Sequence, residues 1–274
     1  MADLGPTRLL LVGCGKMGGA MLNGWLARGL AAGRAMAVEP NPAGLDDLVR
    51  QGLRVVPSGD AIPADFDPDV VVLAVKPQMM DGAIGFYARF ARPETLFLSI
   101  AAGKTIAYFQ RHLGASAAIV RAMPNTPAAI GRGISVAVAS PPVTRAQRAL
   151  ADTLLAACGE VAWVEEEGLI DPVTALSGGG PAYVFLLIET LAEAGRKAGL
   201  PADLALRLAR VTVSGAGELA RLSPESAEQL RRNVTSPKGT TLEALNILMA
   251  EDGIQPLFDR AIAAATRRSR ELAG

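Results

Sequence analysis

The chain has 274 residues, half of them hydrophobic but only 4% aromatic, and its 27 basic side chains balance 27 acidic ones. That length suits one large domain or two ordinary ones. Zero net charge lacks both the basic excess of a nucleic-acid binder and the signature of a disordered chain. Two cysteines far apart in sequence and a single histidine exclude a disulfide scaffold and imidazole-rich zinc chemistry. No metal ligands are expected.

Through the first 165 residues, short aliphatic runs alternate with amphipathic stretches. In chain order the pattern predicts a strand at 8–12, a helix at 17–30, a strand at 35–39, a helix at 42–51, and strands at 53–56 and 70–75. A helix at 78–90, strands at 96–100, 118–122 and 134–139, a helix at 144–158 and a strand at 161–164 follow. The run Val70-Val71-Val72-Leu73-Ala74-Val75 is apolar throughout, as a strand buried on both faces should be. His112, just before Gly114, fits the basic last turn of a further helix. This alternation predicts a mostly parallel sheet with helices on both faces. After Glu165 no strand is evident, and helices are expected at 169–176, 181–198, 201–222, 224–233, 237–250 and 254–272. The fold class is therefore α/β for 1–165, a dinucleotide-binding domain, followed by an all-α domain at 166–274.

The longest uncharged stretch is interrupted by Ser177-Gly178-Gly179-Gly180-Pro181, so no segment is expected to cross a bilayer, which needs ~20 apolar residues. Leu9–Val12 leads into glycines rather than a cleavage pattern and reads as a strand, not a signal peptide. A cytoplasmic protein is expected. Tyr183–Ile188 is apolar on every side; partner helices are its expected cover, which predicts a homodimer.

The motif Gly13-Cys14-Gly15-Lys16-Met17-Gly18 follows the first strand and opens the first helix, the context that a dinucleotide fingerprint requires. Gly13 suits a tight turn, Gly15 a close backbone approach to pyrophosphate, and Gly18 close packing of helix on strand. Glu39, ending the second strand, is placed to bond ribose hydroxyls. Ala74-Val75-Lys76-Pro77 closes the fourth strand, where ligands of such sheets sit. In the helical half, Ser236 and Pro237 predict a helix start, with Thr240 and Thr241 in its first turn beside unpaired N–H groups that suit a carboxylate. Leu242, Leu245, Leu248 and Met249 are expected as the buried stripe behind it.

These segments, with Arg121-Ala122-Met123-Pro124-Asn125-Thr126-Pro127 and Ala175–Tyr183, occur in an order that resembles the pyrroline-5-carboxylate reductase family over essentially the whole chain. The resemblance implies an N-terminal Rossmann domain, a helical dimerisation and substrate domain, and hydride delivery from NAD(P)H to a cyclic imine carboxylate. It further implies a homodimer or a higher assembly of dimers. Carried over by resemblance, Thr241 is the catalytic hydroxyl near the ring nitrogen, and Gly239 and Thr240 hold the carboxylate through backbone groups. Glu167 and Asn233 line the substrate site. Ala74, Val75, Lys76 and Pro77 contact the cofactor, and Asn125 lies near the nicotinamide. Two positions depart from the family pattern: Gly179 stands where serine is common, and Lys238 where glycine is common. A 3-hydroxyacid-type dehydrogenase and a non-catalytic nucleotide sensor stay open as alternatives; neither accounts for the threonine-rich helix start.

Overall fold

The computed structural model describes residues 4–273. Among these, the first compact unit comprises residues 4–178 with 265–273, and the second Gly179–Ala264.

The first unit is built on β1 (Leu9–Val12), β2 (Ala35–Val38), β3 (Arg54–Val56), β4 (Val70–Leu73), β5 (Leu96–Ser99), β6 (Ala118–Met123), β7 (Gly133–Ala139) and β8 (Gly159–Trp163). They form one eight-stranded sheet in the order β3-β2-β1-β4-β5-β6-β7-β8. All neighbours run parallel except β6 and β7. The predicted strands are all present, with ends displaced by a residue or two. The apolar run at 70–75 stops pairing as a strand at Leu73, although the Ala74 N–H still donates to the Val12 carbonyl at 2.8 Å.

Alternation along each strand divides the core in two. Leu10, Val12, Val71, Leu73, Phe97 and Ile119 face Tyr87 and Phe109 on one side. Leu9, Leu11, Val70, Val72, Leu98 and Val120 face Met21, Leu22, Trp25 and Leu154 on the other. The second layer comes from α1 (Lys16–Ala27) and, later in the chain, the helix at Arg145–Ala156, linked by the Trp25 indole donating to the Leu154 carbonyl at 2.8 Å.

Between the strands lie α2 (Asp46–Arg50), α3 (Pro77–Ala83), α4 (Ile106–Leu113) and α5 (Arg145–Ala156). The single helix expected at 78–90 tightens into a 3-10 helix over Ile84–Phe90. Its buried residues Ile84, Tyr87 and Phe90 recur every three positions, the period that stacks side chains on one face of a 3-10 helix. His112 lies in the last turn of α4, which ends at Gly114 with φ +97° as expected.

The sheet is followed by α6 (Ile170–Val173), and the chain then widens into a π-helical turn over Thr174–Gly178. Packing carries the first unit past Glu165 to Gly178. Ile170 is fully buried in the sheet's core, and the Ser269 hydroxyl, from the returning C-terminal segment, donates to Asp171 at 2.7 Å.

The second unit begins with α7 (Gly180–Lys197) and continues through α8 (Ala202–Leu222), α9 (Ala227–Asn233) and α10 (Thr240–Leu248). It ends within α11 (Ile254–Ala273), whose last turns belong to the first unit. In the glycine-rich segment at 177–181 the π turn ends at Gly178 and α7 begins at Gly180, with Gly179 between them in a right-handed helical conformation. Glu167–Lys197 is a continuous helical run of 31 residues that is long and apolar enough, by length and composition alone, to cross a membrane. The expectation that no segment meets that test is thus corrected. In the chain alone, Phe185, Leu186 and Val211 are 58%, 57% and 64% exposed. The stripe expected behind Thr241 is not buried either: Leu248 and Met249 are 49% and 58% exposed, and Leu242 and Leu245 only half-buried.

Candidate active site

The glycine motif forms the turn between β1 and α1, and each glycine answers a different need. Gly13 has φ +89°, a conformation that L side chains rarely adopt. A Cβ on Gly18 would stand 2.2 Å from the Gly13 carbonyl oxygen, so the helix reaches its place only without one. A Cβ on Gly15 would meet nothing within 4 Å. Gly15 caps α1, so the unpaired N–H groups of the first turn open on that space.

The space belongs to a cleft of about 690 Å³ at the carboxyl ends of β1, β2 and β4, lined among others by Gly13, Gly15, Glu39, Val75, Lys76 and Phe86. Ala74 lines it too, and a shallower depression of about 600 Å³ beside it takes in Cys14, Lys16 and Glu39. Glu39 accepts the Cys14 N–H on Oε2 at 2.8 Å and the Asn41 N–H on Oε1 at 3.1 Å. Burial, aided by the Glu39 carboxylate, pushes the Cys14 thiol up to about 11, so it stays protonated at neutral pH. The donor set of this cleft fits a dinucleotide: free N–H groups for pyrophosphate, a carboxylate for ribose, and the exposed apolar surfaces of Met79 and Phe86 for a base. Met17, Gly18 and Pro77, assigned to the cofactor by sequence, line neither the cleft nor the depression beside it. Met17 packs against the core of the Trp25 layer, Pro77 forms the first residue of α3, and Gly18 is buried beneath the turn.

Asn125 is likewise committed elsewhere. Its Oδ1 accepts the Ile134 N–H at 3.0 Å, and its Nδ2 donates to the Ser177 hydroxyl at 3.2 Å. It joins the end of β6 to β7 and to the π turn. Glu167 sits nearby in sequence terms: its Oε1 accepts both the Ile106 N–H and Arg121 Nη1 at 2.8 Å. Sequence reasoning places Arg121 and Ser177 within the motifs that carry the resemblance but assigns neither a role. The signal for Arg121 was a lone charge inside the aliphatic run 118–123.

The threonine-rich segment lies in the second unit. Ser236 and Pro237 do not open its helix. The Gly239 N–H turns back to the Ser236 carbonyl at 3.0 Å, Lys238 takes φ +60°, and α10 begins at Thr240 with Gly239 as its cap. The left-handed residue bends the chain before the helix can start at Pro237. The backbone N–H of Gly239 is thereby used, whereas Thr240 and Thr241 are the first two helical residues, both exposed. Their N–H groups are those that a helix leaves unpaired. Asn233 accepts from Gln229 Nε2 at 2.8 Å and donates to Glu225 Oε2 at 3.0 Å, which brings Glu225, another residue not anticipated, beside it.

The parallel sheet, the glycine turn and the cleft define an NAD(P)-dependent oxidoreductase, and residues 8–103 match the family described as NADP oxidoreductase, coenzyme F420-dependent. Residues 167–272 match the pyrroline-5-carboxylate reductase dimerisation family. The chain is 40% identical to a pyrroline-5-carboxylate reductase of Pseudomonas aeruginosa over 97% of both chains, and 36% identical to that of Pisum sativum over 95% of this chain and 94% of the other. A solved pyrroline-5-carboxylate reductase of Coxiella burnetii superposes with a TM-score of 0.89 at 34% identity, covering 98% and 99% of the two chains. The Plasmodium falciparum enzyme, solved with NADP bound, gives 0.84 at 28% identity over 99% and 100%. The chain belongs to the pyrroline-5-carboxylate reductase family.

Cofactor choice turns on Glu39. Arg34 donates to the Pro6 carbonyl at 3.0 Å and Arg50 pairs with Asp47, so neither compensates its charge. A 2′-phosphate would meet an anion there, whereas ribose hydroxyls would meet an acceptor. NADH is therefore expected to be used at least as well as NADPH. Steady-state kcat/KM for the two cofactors checks this, and a preference of about a hundredfold for NADPH, close to 2.7 kcal/mol, would show that Glu39 does not face the ribose.

Proposed function

We propose that this protein reduces L-1-pyrroline-5-carboxylate to L-proline with NAD(P)H, the last step of proline biosynthesis. The observation that carries this reading is the match to pyrroline-5-carboxylate reductases over nearly the whole chain, with the dinucleotide cleft and the threonine-rich helix start both intact. NAD(P)H, when bound, supplies a hydride to the C=N carbon. Gly13, Gly15 and the first turn of α1 hold its pyrophosphate, Glu39 its ribose, and Ala74, Val75 and Lys76 the edge of the cleft. Cys14 and Lys16 flank the pyrophosphate from the neighbouring depression.

The substrate carboxylate is received by the N–H groups of Thr240 and Thr241, favoured by the positive end of α10. By resemblance to the family, the Thr241 hydroxyl is the group near the ring nitrogen, and Glu167 and Asn233 are substrate positions. Gly239 contributes conformation rather than a donor, and Asn125 orients the end of β6. Reduction of a protonated imine needs alignment and charge complementarity, not a covalent nucleophile, and the neutral Cys14 thiol fits that economy. Oxidation of NADH and NADPH in the presence of pyrroline-5-carboxylate tests the reading. Turnover of 3-hydroxyacids instead, or cofactor binding without turnover, would overturn it.

Residues 167–272 match a dimerisation family, which supports a homodimer, and in this reading the partner chain covers the bare faces of α7 and α8. The dimer is expected to be obligate. Sedimentation at micromolar concentration should show no monomer, and a stable, active monomer would overturn this. A cytoplasmic location and modules at 1–165 and 166–274 belong to the same reading; fractionation tests the first and separate expression of each module the second.

A further inference from the structure

Arg121 is a buried cation whose placement nothing above explains. It is 2% exposed, Nη1 bonds Glu167, and Nε and Nη2 have no hydrogen-bond partner among the described residues. Burying a cation with unpaired donors is costly, and a buried ion pair seldom stabilises more than apolar residues of the same volume. Stability does not account for it. Its place in the sheet does. Val38, Val12, Leu73, Ser99 and Arg121 are successive partners across β2, β1, β4, β5 and β6. Gly13, Glu39 and Ala74 leave the sheet from this same row, the carboxyl edge at which ligands of such folds bind.

Glu167 is held from that row by one oxygen only. Oε1 takes both the Arg121 guanidinium and the N–H of Ile106, the first residue of α4, at 2.8 Å each. Oε2 has no partner among the described residues, and the side chain is 29% exposed. The result is a carboxylate fixed at one oxygen by two rigid elements and open at the other.

We infer that Arg121 is a positioning residue for the reduction: it clamps Glu167 through Oε1 so that Oε2 is presented to the cationic ring nitrogen of the protonated imine. This rests on the proposed substrate. The carboxylate favours the protonated form, which accepts hydride. As hydride adds to the C=N carbon, the π pair moves to nitrogen and cancels its charge, and no proton leaves Glu167. Oε2 accepts the N–H throughout, and the electron pair that forms on nitrogen is left to the Thr241 hydroxyl.

Glu167→Gln, Arg121→Lys, Arg121→Met and the double variant Arg121→Met with Glu167→Gln test this, with kcat and KM for the imine measured beside NADH dissociation constants from fluorescence. Each single variant should raise KM for the imine roughly 5- to 30-fold, with kcat less affected and NADH affinity within about twofold of wild type. The double variant should be no worse than Glu167→Gln, because both changes remove one coupled contact. Arg121→Met fills the same space without a charge, so a merely structural role would leave KM at the wild-type value once the variant folds. That result, additive effects in the double variant, or an unchanged KM in Glu167→Gln would overturn the inference. Wild-type protein inert towards the imine would instead overturn the proposed reaction.

Discussion

Thr241→Ala is expected to lower kcat/KM for the cyclic imine roughly 10- to 150-fold while leaving folding and cofactor affinity almost untouched. A hydrogen bond to a charged partner contributes ~1.5–3 kcal/mol, and 1.4 kcal/mol is about a factor of ten. Thr241 is the second residue of α10, exposed, and its hydroxyl has no hydrogen bond within the described chain, so its removal orphans no buried group. Alanine is also the better helix former, and the cap, Gly239, is unchanged. Thr241→Ser should recover most of the activity. The checks are steady-state kinetics, thermal melting and NADH titration on the same preparations. Loss of activity together with loss of folding would mark a structural threonine, and unchanged kinetics would remove Thr241 from the site.

The two inner glycines of the dinucleotide turn should fail in different ways. Gly18→Ala places a methyl 2.2 Å from the Gly13 carbonyl oxygen, a backbone atom that cannot swing aside. Either α1 or the turn must shift. We expect about 1–3 kcal/mol of lost stability and weaker binding of both cofactors, since the shift moves the pyrophosphate donors. Gly15→Ala meets no protein atom within 4 Å, so the melting temperature should be that of the wild type. Its methyl instead occupies the approach of the pyrophosphate, and NADH and NADPH dissociation constants should rise roughly 10- to 100-fold, about 1.4–2.8 kcal/mol. Calorimetric or fluorescence titration beside thermal melting separates the two. Undiminished affinity in Gly15→Ala would place the pyrophosphate elsewhere.

The elements that the sequence made legible are those whose cause is local. The aliphatic run at 70–75 has no reading other than a strand buried on both faces, and the spacing of Gly13, Gly15 and Gly18 describes the turn that the structure contains. What escaped depends on distant partners. Glu167 and Arg121 are 46 positions apart, and Asn125 and Ser177 are 52 apart, so neither commitment is written in a neighbourhood of residues. Ser236 and Pro237 carry ordinary helix-start chemistry, but the left-handed Lys238 redirects the chain and defers the helix to Thr240. The stripe of Leu242, Leu245, Leu248 and Met249 has the period of a buried face, yet one chain leaves much of it bare. Periodicity reports that a face is covered, not by whom.

The return of the chain to its first unit has a mechanical meaning. Because residues from Ala265 onward pack with the sheet, the helical unit is an insertion carried between two tethers, one at Gly178 and one at Ala264, rather than an appendage on a single stalk. Both tethers are pinned by contacts within the dinucleotide unit: Met123 stands against Gly178, Ser269 bonds Asp171, and Leu272 packs so close to Gly103 that a Cβ there would lie 3.0 Å from it. Damage to the turns around Ser269 and Leu272 is felt first not by the neighbouring helices in sequence but at Asp171 and Gly103, in the nucleotide-binding half.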